Sequence, residues 1–181
     1  MDENLKRSDI RSGKEGVPLR LVLHVSRMDG SSCAPLTGAT VHVWQCDALG
    51  VYSDVQDIHR RFDTRGKTFL RGYQVTDASG KIEFATIYPG WYPGRTVHIH
   101  FKILTDSAAQ RSHEFTSQLY FDESITDRVH AQAPYAKNGR RTVRNKEDSI
   151  FEFGGGNKLM LPLTKTATGY AGTFDIALQL T

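Results

Sequence analysis

Residues 96–104 have the sequence TVHIHFKIL, in which polar and apolar side chains alternate. This alternation predicts a β-strand with one buried face, because successive side chains of a strand point to opposite sides of the sheet. His98 and His100 therefore share one face with Lys102, and the apolar residues between them share the other. Two imidazoles on one strand face indicate half of a metal site, although single histidines are more often surface or satisfied core residues.

The same period-2 alternation recurs along the chain, with turn-forming residues between the segments. It predicts strands at residues 20–25, 39–46, 72–76, 81–87, 96–104, 118–121 and 173–180. Short strands separated by Gly, Asp and Ser clusters are typical of an antiparallel β-sandwich, so we predict an all-β fold with little helix and long, partly irregular loops. Residues 122–150 are polar and weakly periodic, which favours an extended excursion with room for one short helix that partly covers a site.

Length and charge limit the kind of protein. The 181 residues suit one domain, which we place at residues 17–181 behind a polar N-terminal tail at residues 1–16. The net charge of +3 gives no reason to expect a nucleic-acid partner, and the basic stretch at residues 139–146 is simplest as a solvated loop. No apolar stretch approaches the roughly 20 residues of a bilayer span, so we expect no membrane partner.

Two cysteines leave the cellular compartment open. Cys33 and Cys46 lack the spacing of a zinc clamp and are either free thiols or one disulfide, since Cys33 lies in the loop that leads to the strand ending at Cys46. A disulfide would slightly favour a secreted protein, whereas free thiols would favour the cytoplasm. Residues 1–14 lack the apolar core of a signal peptide.

Two tyrosines complete the candidate metal site. Tyr52 follows a predicted strand and a tight turn, and Tyr92 precedes His98 by six residues across a Pro-Gly loop. A trivalent cation stabilises phenolate, and two phenolates with two imidazoles favour ferric iron over zinc because they offset much of its charge. The alternative is that both tyrosines are loop-anchoring aromatics, as is usual beside Pro and Gly.

Three stretches resemble the intradiol ring-cleavage dioxygenase family. They are residues 35–53 (PLTGATVHVWQCDALGVYS), 69–80 (FLRGYQVTDASG) and 86–101 (TIYPGWYPGRTVHIHF), and the similarity covers roughly residues 17–122 in a single order. In that family a mononuclear, non-haem Fe(III) is held by two tyrosines, two histidines and a solvent hydroxide. The resemblance thus implies an oxidoreductase built on a β-sandwich of the prealbumin or transthyretin type.

The resemblance also assigns individual residues. The iron ligands it implies are Tyr52, Tyr92, His98 and His100. Tyr88 competes for the second phenolate position, but the Pro-Gly-x-Tyr pattern of the family selects Tyr92 and leaves Tyr88 to packing.

Four further positions are candidate substrate contacts. Arg95 matches an arginine over the substrate ring, where a permanent positive charge favours the anionic ring during oxygen attack; its alternative role is a surface ion pair. Gln118 matches a glutamine beside the ring and is otherwise a strand-edge amide. Leu49 and Asp54 flank Tyr52 and either line the pocket or serve the turn.

The mechanism that the resemblance implies uses the metal to prepare the organic substrate. A catechol chelates iron through both oxygens, Tyr92 doubles as a base, and the activated ring reacts with O2. The product is a cis,cis-muconate-type diacid. The expected partners are therefore small-molecule catechols and O2.

Two departures from the family point to an open site. Classical relatives have a longer insertion between the second tyrosine and the first histidine, where this chain has five residues. Many relatives also carry a helical N-terminal segment, where this chain has only about twenty residues before its first predicted strand. We therefore expect a monomer or weak dimer whose pocket tolerates several catechols.

Two rival hypotheses stay open. The turn and strand motifs at residues 38–41 and 76–81 are generic to transthyretin-like binding or spacer modules, and fold alone does not imply function. A zinc or copper enzyme would use His98 and His100 with a third ligand. The candidates for that third ligand are His24, His59 and His130.

Overall fold

A computed structural model of the chain describes residues 3–57, 62–106 and 112–180. Within these ranges the chain forms nine β-strands and two short α-helices, joined by loops and 3-10 turns. The strands are β1 (Pro18–Asp29), β2 (Ser32–Pro35), β3 (Thr40–Trp44), β4 (Arg71–Val75), β5 (Lys81–Ile87), β6 (His98–Asp106), β7 (Ser112–Tyr120), β8 (Leu163–Lys165) and β9 (Tyr170–Leu178). The helices are α1 (Glu123–His130) and α2 (Ser149–Phe153).

The strands form two sheets. The first has the order β2-β1-β9-β8, with β5 also paired to β1, and the second has the order β4-β3-β6-β7. The predicted all-β sandwich is confirmed, with one refinement: β1 and β9 run parallel, while the other named strand pairs are antiparallel. Strand alternation alone does not signal pairing direction, because it reports only which faces are buried.

The core lies between the two sheets and follows the predicted alternation. Its central side chains come from the inward faces of strands in both sheets and are fully or almost fully buried. They include Leu21, Leu23, Val41, Val43, Phe84, Ile99, Phe101 and Ile103. Because Ile99, Phe101 and Ile103 face inward, His98 and His100 lie on the outer face of the second sheet.

The N-terminal segment packs against the sandwich, contrary to the expected tail. Ile10 is fully buried in the main core cluster, and Lys6 and Asp9 form single β-bridges to Tyr73 and Ala85. Lys14 Nζ also lies 2.7 Å from a carboxylate oxygen of Asp47. Residues 3–16 are therefore part of the packed domain, because one apolar anchor in a polar segment is enough to bind it to the core.

Neither cysteine forms a disulfide. Cys33 is an exposed free thiol on β2, and Cys46 is a buried free thiol beside the Gly90 carbonyl. Burial raises the pKa of the Cys46 thiol. The argument for an oxidising compartment from a Cys33–Cys46 bridge therefore no longer applies. Among the described residues, neither helix has the length and apolar character to span a bilayer.

Candidate metal centre

Strand β6 places the two histidines. It is a central strand of the second sheet, and its register pairs His98 with Tyr120 of β7 and His100 with Trp44 of β3. The Nε2 atoms of His98 and His100 lie 3.0 Å apart on the outer face. Because β6 pairs with β7 at both histidines and with β3 at His100, the two imidazoles have little freedom to separate.

A tight turn after β3 delivers Tyr52. The Asp47 carboxylate accepts hydrogen bonds of 3.0 Å from the backbone N–H groups of Leu49 and Val51, which closes the turn. Gly50 adopts a φ of 81° there, and a Cβ at that position would lie 2.1 Å from the Trp91 carbonyl oxygen. The turn brings Tyr52 Oη to 3.4 Å from His98 Nε2.

The loop before β6 delivers Tyr92. A Cβ on Gly90 would lie 2.4 Å from the Asp47 carbonyl oxygen, so only glycine allows this loop to touch the turn that carries Tyr52. Tyr92 Oη lies 3.3 Å from His98 Nε2, and the rings of Tyr52 and Tyr92 meet edge to face at 5.5 Å. All four predicted ligands therefore come together.

The spacing of these donor atoms suits a shared cation. Donor atoms bound at about 2.0–2.1 Å to one metal lie roughly 3 Å apart, which matches the 3.0–3.4 Å between His98 Nε2 and its three neighbours. Burial lowers the pKa of His98 to about 4 and that of His100 to about 3. Both imidazoles are thus neutral at pH 7, which is the form that binds metals.

The phenols add a preference among metals. Burial raises the pKa of Tyr52 and of Tyr92, so both phenols stay protonated unless a strong positive charge is nearby. A highly charged, oxygen-preferring cation would supply that charge and convert them into anionic ligands. Two neutral nitrogens and two potential phenolates fit ferric iron better than zinc.

Neighbouring groups outside the cluster of donor atoms orient both histidines. The His98 Nδ1–H donates to the Thr96 carbonyl oxygen at 2.7 Å, which leaves the lone pair of Nε2 facing the tyrosines. The Trp44 ring stacks on His100, with ring centroids 4.9 Å apart and planes at 1°. Such partners typically fix the tautomer and ring plane of a metal-binding histidine.

Arg95 and Gln118 lie together beside this group. Arg95 Nη2 donates to Gln118 Oε1 at 2.6 Å, and the Tyr120 hydroxyl donates to the same oxygen at 3.0 Å. Arg95 Nε donates to a carboxylate oxygen of Asp148 at 2.8 Å. Sequence reasoning did not identify Asp148, which reaches the site from the excursion after β7.

Leu49 and Asp54 have different surroundings. Leu49 lines a cavity of about 530 Å³ that borders Tyr52 and Tyr92. Asp54 is exposed, adopts a φ of 59° and accepts a hydrogen bond from Gly66 N. The described residues lining the cavity do not include Asp54, whose contacts are those of a turn residue.

The other tyrosine and histidine candidates lie elsewhere. Tyr88 is fully buried and its hydroxyl is 2.7 Å from Thr126 Oγ1, as expected of a packing residue. His24 pairs with Asp175 on the first sheet, and His130 contacts the Pro89 carbonyl oxygen. His59 lies outside the described residues. Within the described ranges, no three His, Cys, Asp or Glu side chains are grouped for a metal.

Comparisons with known proteins identify the family of the chain. A family model described as Dioxygenase matches residues 2–178. The solved structure of an intradiol ring-cleavage dioxygenase from Tetranychus urticae is 32% identical, with a TM-score of 0.82 over 99% of this chain and 89% of that chain.

Curated relatives match over a shorter length. The protocatechuate 3,4-dioxygenase beta chain of Burkholderia cepacia is 32% identical over 129 residues, which are 67% of this chain and 52% of that protein. Catechol 1,2-dioxygenase 1 of Acinetobacter lwoffii is 28% identical over 131 residues, which are 62% of this chain and 40% of that protein. The chain thus spans about half the length, or less, of these relatives. With a family model matched almost from end to end and a closely superimposable solved relative, the chain belongs to the intradiol ring-cleavage dioxygenase family.

Proposed function

We propose that the protein binds one non-haem Fe(III) through Tyr52, Tyr92, His98 and His100 and cleaves catechols with O2. The ring opens between the two hydroxyl-bearing carbons, and both oxygen atoms enter a cis,cis-muconate-type diacid. The observation that carries this proposal is the convergence of two phenol oxygens and a second imidazole nitrogen within 3.0–3.4 Å of His98 Nε2.

The metal and the protein side chains have different roles in the proposed reaction. Held by Tyr52, Tyr92, His98 and His100, ferric iron would supply Lewis acidity towards a bound catechol and make its ring more reactive towards O2. Tyr92 borders the cavity, as Tyr52 does, and as a metal-bound phenolate it would accept a proton from an incoming substrate hydroxyl at its Oη atom. The Arg95 charge favours the anionic form of the ring, since a guanidinium stays protonated throughout.

The cavity beside the tyrosines supports a preference for uncharged catechols. Its described lining is mostly apolar and aromatic, and the one charged side chain in that lining is the carboxylate of Asp57. An apolar substituent gains from burial in such a lining, whereas a ring carboxylate finds no cation among these described residues. The lining includes Leu49, Val51, Tyr52, Val55, Phe62, Trp91, Tyr92 and Pro93.

A panel of catechols under air tests the function directly. Iron-loaded protein is expected to show the visible charge-transfer band of a ferric phenolate, to consume O2 with catechol and to form a muconate absorbance. Tyr92→Phe should shift or bleach the band and nearly abolish turnover. Tyr88→Phe is the matched control, because Tyr88 is a buried tyrosine outside the site, and it should retain both.

Three results would contradict the proposal. A Tyr92→Phe protein with an unshifted band and full activity would remove Tyr92 from the metal. A colourless protein that binds zinc through His98 and His100 would favour the rival hypothesis of a zinc enzyme. Protein that takes up no metal at all would favour a binding or spacer module.

A further inference from the structure

The carboxylate of Asp148 joins the excursion after β7 to the candidate metal centre. One of its oxygens accepts hydrogen bonds from Arg95 Nε and Thr96 N, both at 2.8 Å. The other oxygen accepts from the backbone N–H groups of Ile150 and Phe151 at the start of α2. The geometry points to Asp148 as a positioning residue of the dioxygenase site, an inference that rests on the function proposed above.

The first branch of this contact fixes Arg95. Asp148 holds Nε from one side, and Gln118 Oε1 holds Nη2 from the other at 2.6 Å. Two fixed nitrogens on a planar guanidinium determine the orientation of its plane. Without Asp148, only the Gln118 contact would hold the arginine head, and the orientation of its plane beside the ring would no longer be fixed.

The second branch reaches His98 through one peptide unit. The Thr96 N–H donates to Asp148, and the Thr96 carbonyl oxygen accepts the His98 Nδ1–H at 2.7 Å. The Thr96 hydroxyl adds a third contact, at 2.6 Å to Asn145 Oδ1. Asp148 therefore fixes the group that fixes the His98 tautomer. One carboxylate thus acts on both the substrate side and the ligand side of the site.

Burial makes this contact difficult to replace. The Asp148 side chain is 1% exposed, and that of Arg95 is 18% exposed. Burial alone would raise the pKa of Asp148, but hydrogen bonds from Thr96 N and Arg95 lower it below its usual range. Removing the carboxylate leaves a buried N–H and a partly buried guanidinium without their partner, because little water reaches them.

The competing explanation is that Asp148 only caps α2. Asp122 allows a matched test, because it is exposed and caps α1 through Ser124 N and Ile125 N. Within the described ranges, its side-chain hydrogen bonds go only to Ser124 and Ile125. Serine is a good N-cap, so Asp148→Ser and Asp122→Ser both keep a cap. Only Asp148→Ser also removes the oxygen that faces Arg95 and Thr96.

Three measurements separate the two roles. Relative to wild type, Asp148→Ser should lower kcat/KM for catechol by at least about tenfold, the range typical of losing a partner that orients a ligand. Its affinity for 4-nitrocatechol, titrated under argon, should fall as well. Exchange of the Thr96 amide, measured by mass spectrometry on the protein as purified, should accelerate by at least about tenfold.

The control and the double variant complete the test. Asp122→Ser should stay within about twofold of wild type in all three measurements. Asp148→Ser should cost less in an Arg95→Ala background, since one of its two branches is already lost. A kcat/KM within about twofold of wild type for Asp148→Ser would overturn the positioning role.

Failure of the inference is distinguishable from failure of the proposed function. If wild-type protein neither binds iron nor consumes O2, the function is wrong. If wild type is active but Asp148→Ser leaves turnover and Thr96 exchange unchanged, the positioning role is wrong and the function stands. A loss in Asp148→Ser that Asp122→Ser reproduces would be a general effect of replacing a helix-capping aspartate and would overturn the positioning role.

Discussion

His24 and His98 occupy outward-facing positions on the two sheets, yet their surroundings differ completely. His24 on β1 is 41% exposed and pairs with Asp175, which is 84% exposed. His98 on β6 is 2% exposed and faces His100 and two tyrosines. The same strand alternation therefore places a histidine on the outside of either sheet, and the loops above it decide whether it becomes part of a site.

Loops that cover the outer face of the second sheet explain why His98 is buried and His24 is exposed. The outer face of the first sheet presents exposed ion pairs such as Arg20 with Glu83. The outer face of the second sheet lies under the turn after β3, the loop before β6 and the excursion after β7, which bring in Tyr52, Tyr92 and Asp148. Exclusion of water by these segments is what keeps His98 neutral and available for a metal.

The largest effect is expected from the histidines themselves. His98→Gln should abolish the ferric charge-transfer band and reduce turnover by more than the roughly 100-fold typical of losing an outer partner, because it removes a ligand directly. His24→Gln should leave iron content and kcat unchanged. Equal losses in both variants, measured by metal analysis and O2 uptake, would show that His98 is not a specific ligand.

The contact between the two tyrosine-bearing loops should be nearly as sensitive. Gly90→Ala places a Cβ 2.4 Å from the Asp47 carbonyl oxygen, which forces the loops apart and should cost at least about 1–3 kcal/mol of unfolding free energy. It should also shift or weaken the iron band, because Tyr52 and Tyr92 separate.

Gly94→Ala is the control for this glycine. Gly94 has a φ of 89° and open space around it, so alanine there costs roughly 1–2 kcal/mol of backbone strain without touching a neighbour. Denaturant unfolding should report losses in both variants, but only Gly90→Ala should change the visible spectrum. A normal spectrum in Gly90→Ala would show that the two loops do not need this close approach.

A smaller effect is expected at the rim of the cavity. Leu49 is 44% exposed, so Leu49→Arg should fold normally while adding a cation beside the tyrosines. The ratio of kcat/KM for 4-methylcatechol to that for protocatechuate should fall about tenfold, equivalent to about 1.4 kcal/mol. Val75→Arg, an equally exposed position on β4, should leave the ratio unchanged. A wild-type preference for protocatechuate would contradict the inferred preference for uncharged substrates.

The smallest effect is expected on the uncovered face. Glu83→Gln breaks the Arg20 pair of the first sheet, which is solvated on both partners. Exposed pairs contribute little, so the denaturant midpoint, iron content and turnover should all match wild type. A measurable loss of activity would mean that the outer face of the first sheet also influences the site.

The sequence predicted strands best where one face is buried. Strands β3, β5 and β6 alternate clearly, and the predictions for them match within a few residues. The first six residues of β7 were missed because Glu114, Phe115 and Thr116 are all exposed, so no alternation marks the strand. The short strands β2 and β8 were missed for the same reason.

The site residues also differ in how well the sequence predicts them. The two histidines follow from local alternation, and the tyrosines lie at short, recognisable distances from predicted turns. Asp148 is 53 residues from Arg95 in the sequence. The Asp-Ser pair at 148–149 resembles a helix start, which accounts for one carboxylate oxygen, but the partners of the other oxygen are set only by tertiary packing.

His98 Nε2 lies within 3.0–3.4 Å of the other three donor atoms, which are Tyr52 Oη, Tyr92 Oη and His100 Nε2. A slip of β6 by one residue would turn both imidazoles into the hydrophobic interior and empty the centre in a single step. The pairing of β6 with β3 and β7 consequently sets the positions of both imidazoles, around which the loops place the two tyrosines. Transplanting the chemistry to another sandwich would therefore begin with a doubly flanked strand and add the tyrosine loops afterwards.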